Sequence, residues 1–194
     1  MNHPFSAVLL AGGNSSRMGR AKAFLEIEGV PLWRRQLQTL QAVTPTEIFI
    51  AGPPHSAWSD HGAIVLADAE PNLGPLGGLL AAFRNCRNNL LLVLAIDLPE
   101  MTPNFLQSLI DSGNARCGVV PTRSDRFEPL AASYPVTARA VAEEQLVARN
   151  LSLQQFVRRC LDRELVAARP VTSEEDRLFF NLNTPQDFAA HSSG

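Results

Sequence analysis

Charged residues that could do chemistry stand where apolar runs of this sequence give way to loops. The first such place is the stretch Val8 to Leu25, V-L-L-A-G-G-N-S-S-R-M-G-R-A-K-A-F-L, which stops an apolar run at Gly12-Gly13 and then delivers Arg17, Arg20 and Lys22 within six positions. Gly12 and Gly13 lack a Cβ, so backbone N–H groups can approach a bulky anion closely. Asn14, Ser15 and Ser16 add donors, and the three cations can neutralise several phosphate oxygens at once. The expected guest is a polyphosphate. The second place is Asp97, which follows the run Leu91 to Ile96 and precedes Leu98-Pro99. A lone carboxylate at the end of a buried strand is costly unless something neutralises it. A divalent cation would do so, because Mg²⁺ on a triphosphate is held by one or two carboxylates together with phosphate oxygens and water.

Two familiar phosphate loops do not fit. The dinucleotide fingerprint needs G-x-G-x-x-G, whereas Gly12-Gly13 here is followed only by Gly19. The P-loop needs four residues between its glycines and then Lys-Ser or Lys-Thr; Gly13 and Gly19 enclose five, and Arg20-Ala21 follow. Three weaker candidates join the two strong ones. Asp68 ends another apolar run and could reach a ribose hydroxyl or a base edge, or simply stabilise a turn. Asn181 and Asn183 alternate along an extended segment, so both amides can face one side and help hold metal or phosphate. Arg123, Arg126 and Glu128 sit about a turn and could grip an acceptor.

The elements that position these groups alternate between strand and helix. After the cationic loop, Pro31 opens a helix with Trp33, Leu37 and Leu40 at helical spacing. Glu47 to Ala51 and Ala63 to Ala67 read as short strands, and Gly74 to Gly78, which includes Gly77, opens a helix with Leu76, Leu79, Leu80 and Phe83 on one face. Leu90 to Ile96 suits the central strand of a sheet covered on both sides. Thr102-Pro103 caps a helix carrying Phe105, Leu106, Leu109 and Ile110. Cys117 to Pro121 and Glu128 to Tyr134 form a hairpin about Arg123 to Arg126. Helices over Val136 to Arg149 and Ser152 to Leu161, an edge strand at Leu165 to Ala168 and a last short helix after Thr184-Pro185 complete the pattern. This is an α/β chain, and in such sheets ligands bind where loops converge at the strand ends.

Composition narrows the function further. With 194 residues and 45% hydrophobic content, one sizeable core and a single domain over residues 1–194 are expected. A net charge of −2 supplies no global field for nucleic acid, so any anion site is local. No apolar run approaches the ~18 residues of a membrane span, and Met1-Asn2-His3-Pro4 lacks the basic start of a secretory signal. Cys86, Cys117 and Cys160 are odd in number and without a C-x-x-C, which suits reduced thiols in the cytoplasm. His3, His55, His61 and His191 belong to no metal or triad pattern. Trp33 and Trp58 read as packing residues.

The segments L-A-G-G-N-S-S-R-M-G-R-A-K, G-P-L-G-G, D-L-P, E-P-L-A-A-S-Y and N-L-N-T-P-Q-D occur in an order and spacing that resemble the molybdenum cofactor guanylyltransferases over nearly the whole chain. The resemblance implies a three-layer, Rossmann-like fold of the GT-A nucleotidyltransferase type with a mostly parallel mixed sheet. It also implies transfer of GMP from GTP to the terminal phosphate of molybdopterin, with release of pyrophosphate. By the same likeness Leu10, Ala11, Gly12, Lys22, Asp68 and Asp97 contact the nucleotide, Asp97 holds Mg²⁺, and Asn183 or Asn181 adds a second ligand; Gly13 and Gly77, in the two glycine-bearing loops, are expected to join the nucleotide contacts. Arg17 and Lys22 would stabilise the departing phosphates beside Asp97, and Arg123, Arg126 and Glu128 would face the acceptor. The partners implied are GTP, molybdopterin and, transiently, other proteins of cofactor assembly or use. Two positions depart from the family pattern: Ala21 stands where an acidic residue often precedes the loop lysine, and Ile50-Ala51-Gly52 lacks an Asn. Two other functions are compatible with the residues: cytidylyl or uridylyl transfer to molybdopterin, a sugar phosphate or an isoprenoid-precursor phosphate, and non-catalytic carriage of molybdopterin.

Overall fold

The computed structural model describes residues 3–12, 22–53, 55–58, 61–66 and 73–182. Gly13, Arg17, Asp68 and Asn183 lie outside them, as do His191 and the expected last helix.

In chain order the elements are β1 (Ser6–Leu10), β2 (Glu26–Ile27), β3 (Val30–Pro31), α1 (Leu32–Gln41), β4 (Glu47–Ala51), β5 (Ile64–Leu66), α2 (Gly74–Asn85), β6 (Leu90–Ala95), α3 (Pro103–Ser112), β7 (Gly118–Arg123), β8 (Arg126–Phe127), β9 (Ala131–Pro135), α4 (Arg139–Val147), α5 (Leu153–Asp162) and β10 (Val166–Pro170). Among the described residues the main sheet has the order β10-β7-β9-β6-β1-β4-β5, with β8 paired to β7. β1 pairs in parallel with both β4 and β6, β4 with β5 and β7 with β10. β9 runs antiparallel between β6 and β7. The sheet is therefore mixed but mostly parallel, as expected.

Strand alternation builds the three layers. Along β1, Ala7 and Leu9 pack with Leu32, Leu37 and Leu40 of α1 and with Phe105, Leu106 and Leu109 of α3. Val8 and Leu10 face the other way, onto Leu76, Leu79 and Phe83 of α2, in a cluster that continues to Val141 of α4 and Phe156 of α5. All six residues of β6 are buried, and each such leucine is worth roughly 2 kcal/mol of transfer free energy. Helix caps follow the local chemistry: the Phe105 amide donates to the Thr102 hydroxyl at 3.3 Å and the Gln155 amide to the Ser152 hydroxyl at 3.3 Å.

Two details differ from the sequence reading. β2 and β3 form a small antiparallel hairpin whose loop residues, Glu28 and Gly29, take positive φ of 52° and 75°, as a two-residue hairpin loop requires. The expected strand Glu128 to Tyr134 is broken: Phe127 ends β8, β9 begins at Ala131, and Pro129 between them has no N–H to give to a ladder.

The chain leaves β1 for α1, β4 and β5 on one side, then crosses through α2 to β6 on the other side. Strand order thus reverses between β1 and β6, and the loops that follow those strands diverge to leave a crevice.

Candidate active site

The backbone beyond β1 is tied to both neighbouring strands. Leu10 carbonyl accepts from the Ile96 amide at 3.1 Å, and the Ala11 and Gly12 amides both donate to the Ala51 carbonyl, at 2.9 and 3.2 Å. The Gly12 N–H, expected to face an anion, is therefore engaged with β4. This close approach accounts for Gly52. A Cβ there would stand 2.9 Å from Gly12 N and 3.0 Å from the Ala11 carbonyl carbon, with only backbone to push against.

Lys22 opens a short 3₁₀ turn, Lys22–Phe24, closed by the Leu25 amide on the Lys22 carbonyl at 3.2 Å. Ala23 is buried beneath it. Phe24 lies against the rings of His55 and Trp58, with centroids 4.0 and 6.3 Å away. Those contacts give Trp58 the packing role expected of it, with His55 packed beside it; His61 likewise packs on Trp33, 4.9 Å away.

Asp97 is anchored through its backbone. Its carbonyl accepts from the Leu182 amide at 3.0 Å, so the C-terminal segment passes beside it. The next carbonyl, Leu98, accepts from the buried Gln36 side chain of α1. From the two loops the side chains meet: Lys22 Nζ donates to Asp97 Oδ2 at 3.2 Å, with 16% and 26% of the two side chains exposed. Residues 75 positions apart in sequence thus form one charge pair at the point where strand order reverses.

Asp97 also lines a cleft of about 430 Å³. Arg123, Arg126 and Glu128 stand in its wall, and so does Asn181, whose side-chain amide donates to the Phe179 carbonyl at 3.2 Å. Four groups singled out in the sequence are thereby brought to the same cavity as Asp97. Gly77 is not among its lining residues; it is buried in the first turn of α2, where a Cβ would come 2.7 Å from Leu73 Cβ.

Arg123 is held on several sides. Its Nε donates to Asp176 at 2.8 Å, and its Nη1 lies 3.4 Å from Glu128 and 3.5 Å from the Phe179 carbonyl. The hydrogen bond to Asp176 raises the Arg123 pKa and lowers that of Asp176. Burial pushes the Glu128 carboxyl above its usual range, opposed by the Arg123 guanidinium. Sequence reasoning missed Asp176 and Gln154, the latter a residue of α5 that also lines the cleft; neither carries a local signal, because their partners are distant in the chain. No cluster of three or more His, Cys, Asp or Glu able to hold a metal occurs among the described residues.

The profile of the MobA-like NTP transferase domain matches residues 7–166, from β1 to the start of β10. A protein of Opitutus terrae named "Probable molybdenum cofactor guanylyltransferase" is 31% identical over 185 residues, which cover 94% of this chain and 92% of that protein. The molybdenum cofactor guanylyltransferase of Xanthomonas euvesicatoria is 30% identical over 193 residues, 97% of this chain and 95% of the relative. The crystal structure of molybdopterin-guanine dinucleotide biosynthesis protein A from Archaeoglobus fulgidus shares the fold, with a TM-score of 0.76 at 23% identity over 96% of each chain. With a matched span that takes in the strand-order reversal, the Lys22–Asp97 pair and the β7–β8 hairpin, this chain belongs to the MobA-like NTP transferase family of nucleotidyltransferases.

Proposed function

We propose that the protein transfers GMP from GTP to the terminal phosphate of molybdopterin, forming the guanine dinucleotide cofactor and pyrophosphate. The observation that carries this reading is the 3.2 Å pairing of Lys22 with Asp97, which lines the cleft. The bond that forms joins an acceptor phosphate oxygen to the α-phosphorus of GTP; the bond that breaks releases the β- and γ-phosphates. An acceptor phosphate is already a nucleophile, so the protein's work is alignment and charge neutralisation rather than activation of a side chain. Cys160 agrees with that division of labour: it is buried and its pKa is pushed up to about 12, which leaves little thiolate to attack.

Lys22, together with Arg17, would neutralise charge on the departing phosphates. The oxygen donors at hand, the Asp97 carboxylate and the Asn181 side chain in the same cleft, suit Mg²⁺ with phosphate oxygens and water completing its shell. Asp97, with Asn181 or Asn183, would hold that ion, which when bound would supply Lewis-acid neutralisation of phosphate charge.

On the acceptor side, Arg123 and Arg126 line the cleft with Glu128, and Arg123 is also paired with Asp176, so the charges of these four groups cancel. A balanced wall is a poor phosphate site and a good match for a neutral heterocycle with both donor and acceptor edges. We assign it to the pterin of the acceptor, with the acceptor phosphate directed toward Lys22 and Asp97.

The guanine preference draws its support from the shared name of the relatives. It is tested by a thermal-shift panel of GTP, CTP, UTP and ATP with Mg²⁺, since the ligand that binds best raises stability most. GTP is expected to give the largest shift, and a larger shift with CTP or UTP would favour the pyrimidine alternative. Pyrophosphate release from GTP and molybdopterin distinguishes the enzyme from a carrier, which would bind and release nothing.

A further inference from the structure

A strand of two residues cannot hold itself in place. β8 pairs on one side with β7, through Thr122 with Phe127 and Arg123 with Arg126, and the Glu128 amide adds a bond to the Pro121 carbonyl at 2.8 Å. On its other side stands a side chain instead of a strand. Gln154 Nε2 donates to the Phe127 carbonyl at 2.9 Å, and the Phe127 amide donates to Gln154 Oε1 at 3.1 Å. The glutamine amide thus offers one donor and one acceptor to one residue, as a neighbouring strand would. It does so from a firm base, since α5 is capped by Ser152 and buries Phe156, Val157 and Cys160. Phe127 lies between Arg126 and Glu128, and all three line the cleft with Gln154.

We propose that Gln154 is a positioning residue for the acceptor: by clamping the Phe127 backbone it fixes where Arg126 and Glu128 stand in the cleft wall. The inference rests on the assignment of that wall to the acceptor. Gln154 lines the cleft with Arg126 and Glu128, and Lys22 is not among its lining residues, so loss of the clamp should be felt by the acceptor and not by the triphosphate.

The test uses Gln154→Ala and, as a comparator, Arg126→Ala, with pyrophosphate release followed over a range of molybdopterin concentrations and GTP affinity measured by calorimetry. Gln154→Ala is expected to raise the KM for molybdopterin roughly tenfold, the scale of one or two lost hydrogen bonds, while kcat and GTP affinity stay within about twofold of the parent. Amide exchange at Phe127 should quicken by at least the same roughly tenfold factor. Gln154→Glu, which keeps an acceptor for the Phe127 N–H, should retain slow exchange there, and this reports on the clamp even if the alanine variant folds poorly. An unchanged KM in Gln154→Ala alongside a raised KM in Arg126→Ala overturns the clamp and leaves the acceptor wall standing. An unchanged KM in both overturns the wall assignment and the clamp with it. Equal losses in KM, kcat and GTP affinity would mean general destabilisation and would also refute the proposal.

Discussion

Lys22→Ala is expected to act in opposite directions on two ligands of the same cleft. The ammonium stands 3.2 Å from Asp97 Oδ2. At that separation Coulomb's law gives about 5 kcal/mol for an effective dielectric of 20 and about 1 kcal/mol in bulk water. Both side chains keep some solvent contact, and screening with side-chain entropy brings measured pairs toward the lower figure, roughly 1 kcal/mol. A divalent cation arriving without nucleotide has to displace that ammonium. Truncating Lys22 should therefore raise the affinity of the site for the bare cation by roughly fivefold, the equivalent of 1 kcal/mol. The same truncation removes a cation from the triphosphate and should weaken GTP binding by about tenfold or more. Titration of Mn²⁺ in the absence of nucleotide, read by its paramagnetic resonance signal, measures the first effect, and calorimetry with GTP the second. If Lys22→Ala leaves the affinity for Mn²⁺ alone unchanged or lowers it, Asp97 is not the cation's ligand and the reasoning fails.

Gly52→Ala would set a Cβ 2.9 Å from Gly12 N; overpacking of this kind costs about 1–3 kcal/mol, and thermal melting with GTP titration should show both a lower Tm and weaker binding, whereas wild-type values in both would show that the segment beyond β1 yields freely. Two carboxylates should give stability opposite pH slopes. Burial raises the Glu128 pKa above its ordinary value of 4.5, so its contribution is complete below that value and is lost as pH rises through the higher folded one. Hydrogen bonding from Arg169 lowers the Glu175 pKa, so its contribution is present above 4.5 and is lost as pH falls. Urea unfolding of the parent against Glu128→Gln and Glu175→Gln, between about pH 3 and pH 7, checks both signs; slopes of the same sign would contradict the assignment. Cys160, buried and with its pKa pushed up to about 12, should resist a thiol reagent in the native protein and react on unfolding, and early labelling at Cys160 would contradict its burial.

Much of this architecture was legible because its signals are local. The run Leu90 to Ile96 suited a strand covered on both faces, and β6 lies at the middle of the sheet. Thr102-Pro103 announced its helix through cap chemistry that needs no distant partner. Arg123 to Arg126 marked a hairpin, and the hairpin is there, although the strand that follows is split at Pro129. The β2–β3 hairpin was within reach, since Glu28-Gly29 between Ile27 and Val30 has the form of a two-residue loop. The site was legible where charge at strand ends demanded a partner: Lys22 and Asp97 meet. It was not legible where tertiary contact decides. That Ala51 takes the Gly12 amide, that Asp176 braces Arg123 and that Gln154 stands in for a strand all depend on segments brought together from afar.

Asp97→Asn is the sharpest substitution at this site, because it keeps the shape and the backbone bond to Leu182 while removing the charge. Pyrophosphate release from GTP and molybdopterin with Mg²⁺ should fall by at least ~10²-fold, as the loss of a main electrostatic group at a reacting centre does, with the Tm close to that of the parent. Turnover equal to the parent's would contradict the account: the reaction would then owe nothing to the carboxylate that faces Lys22.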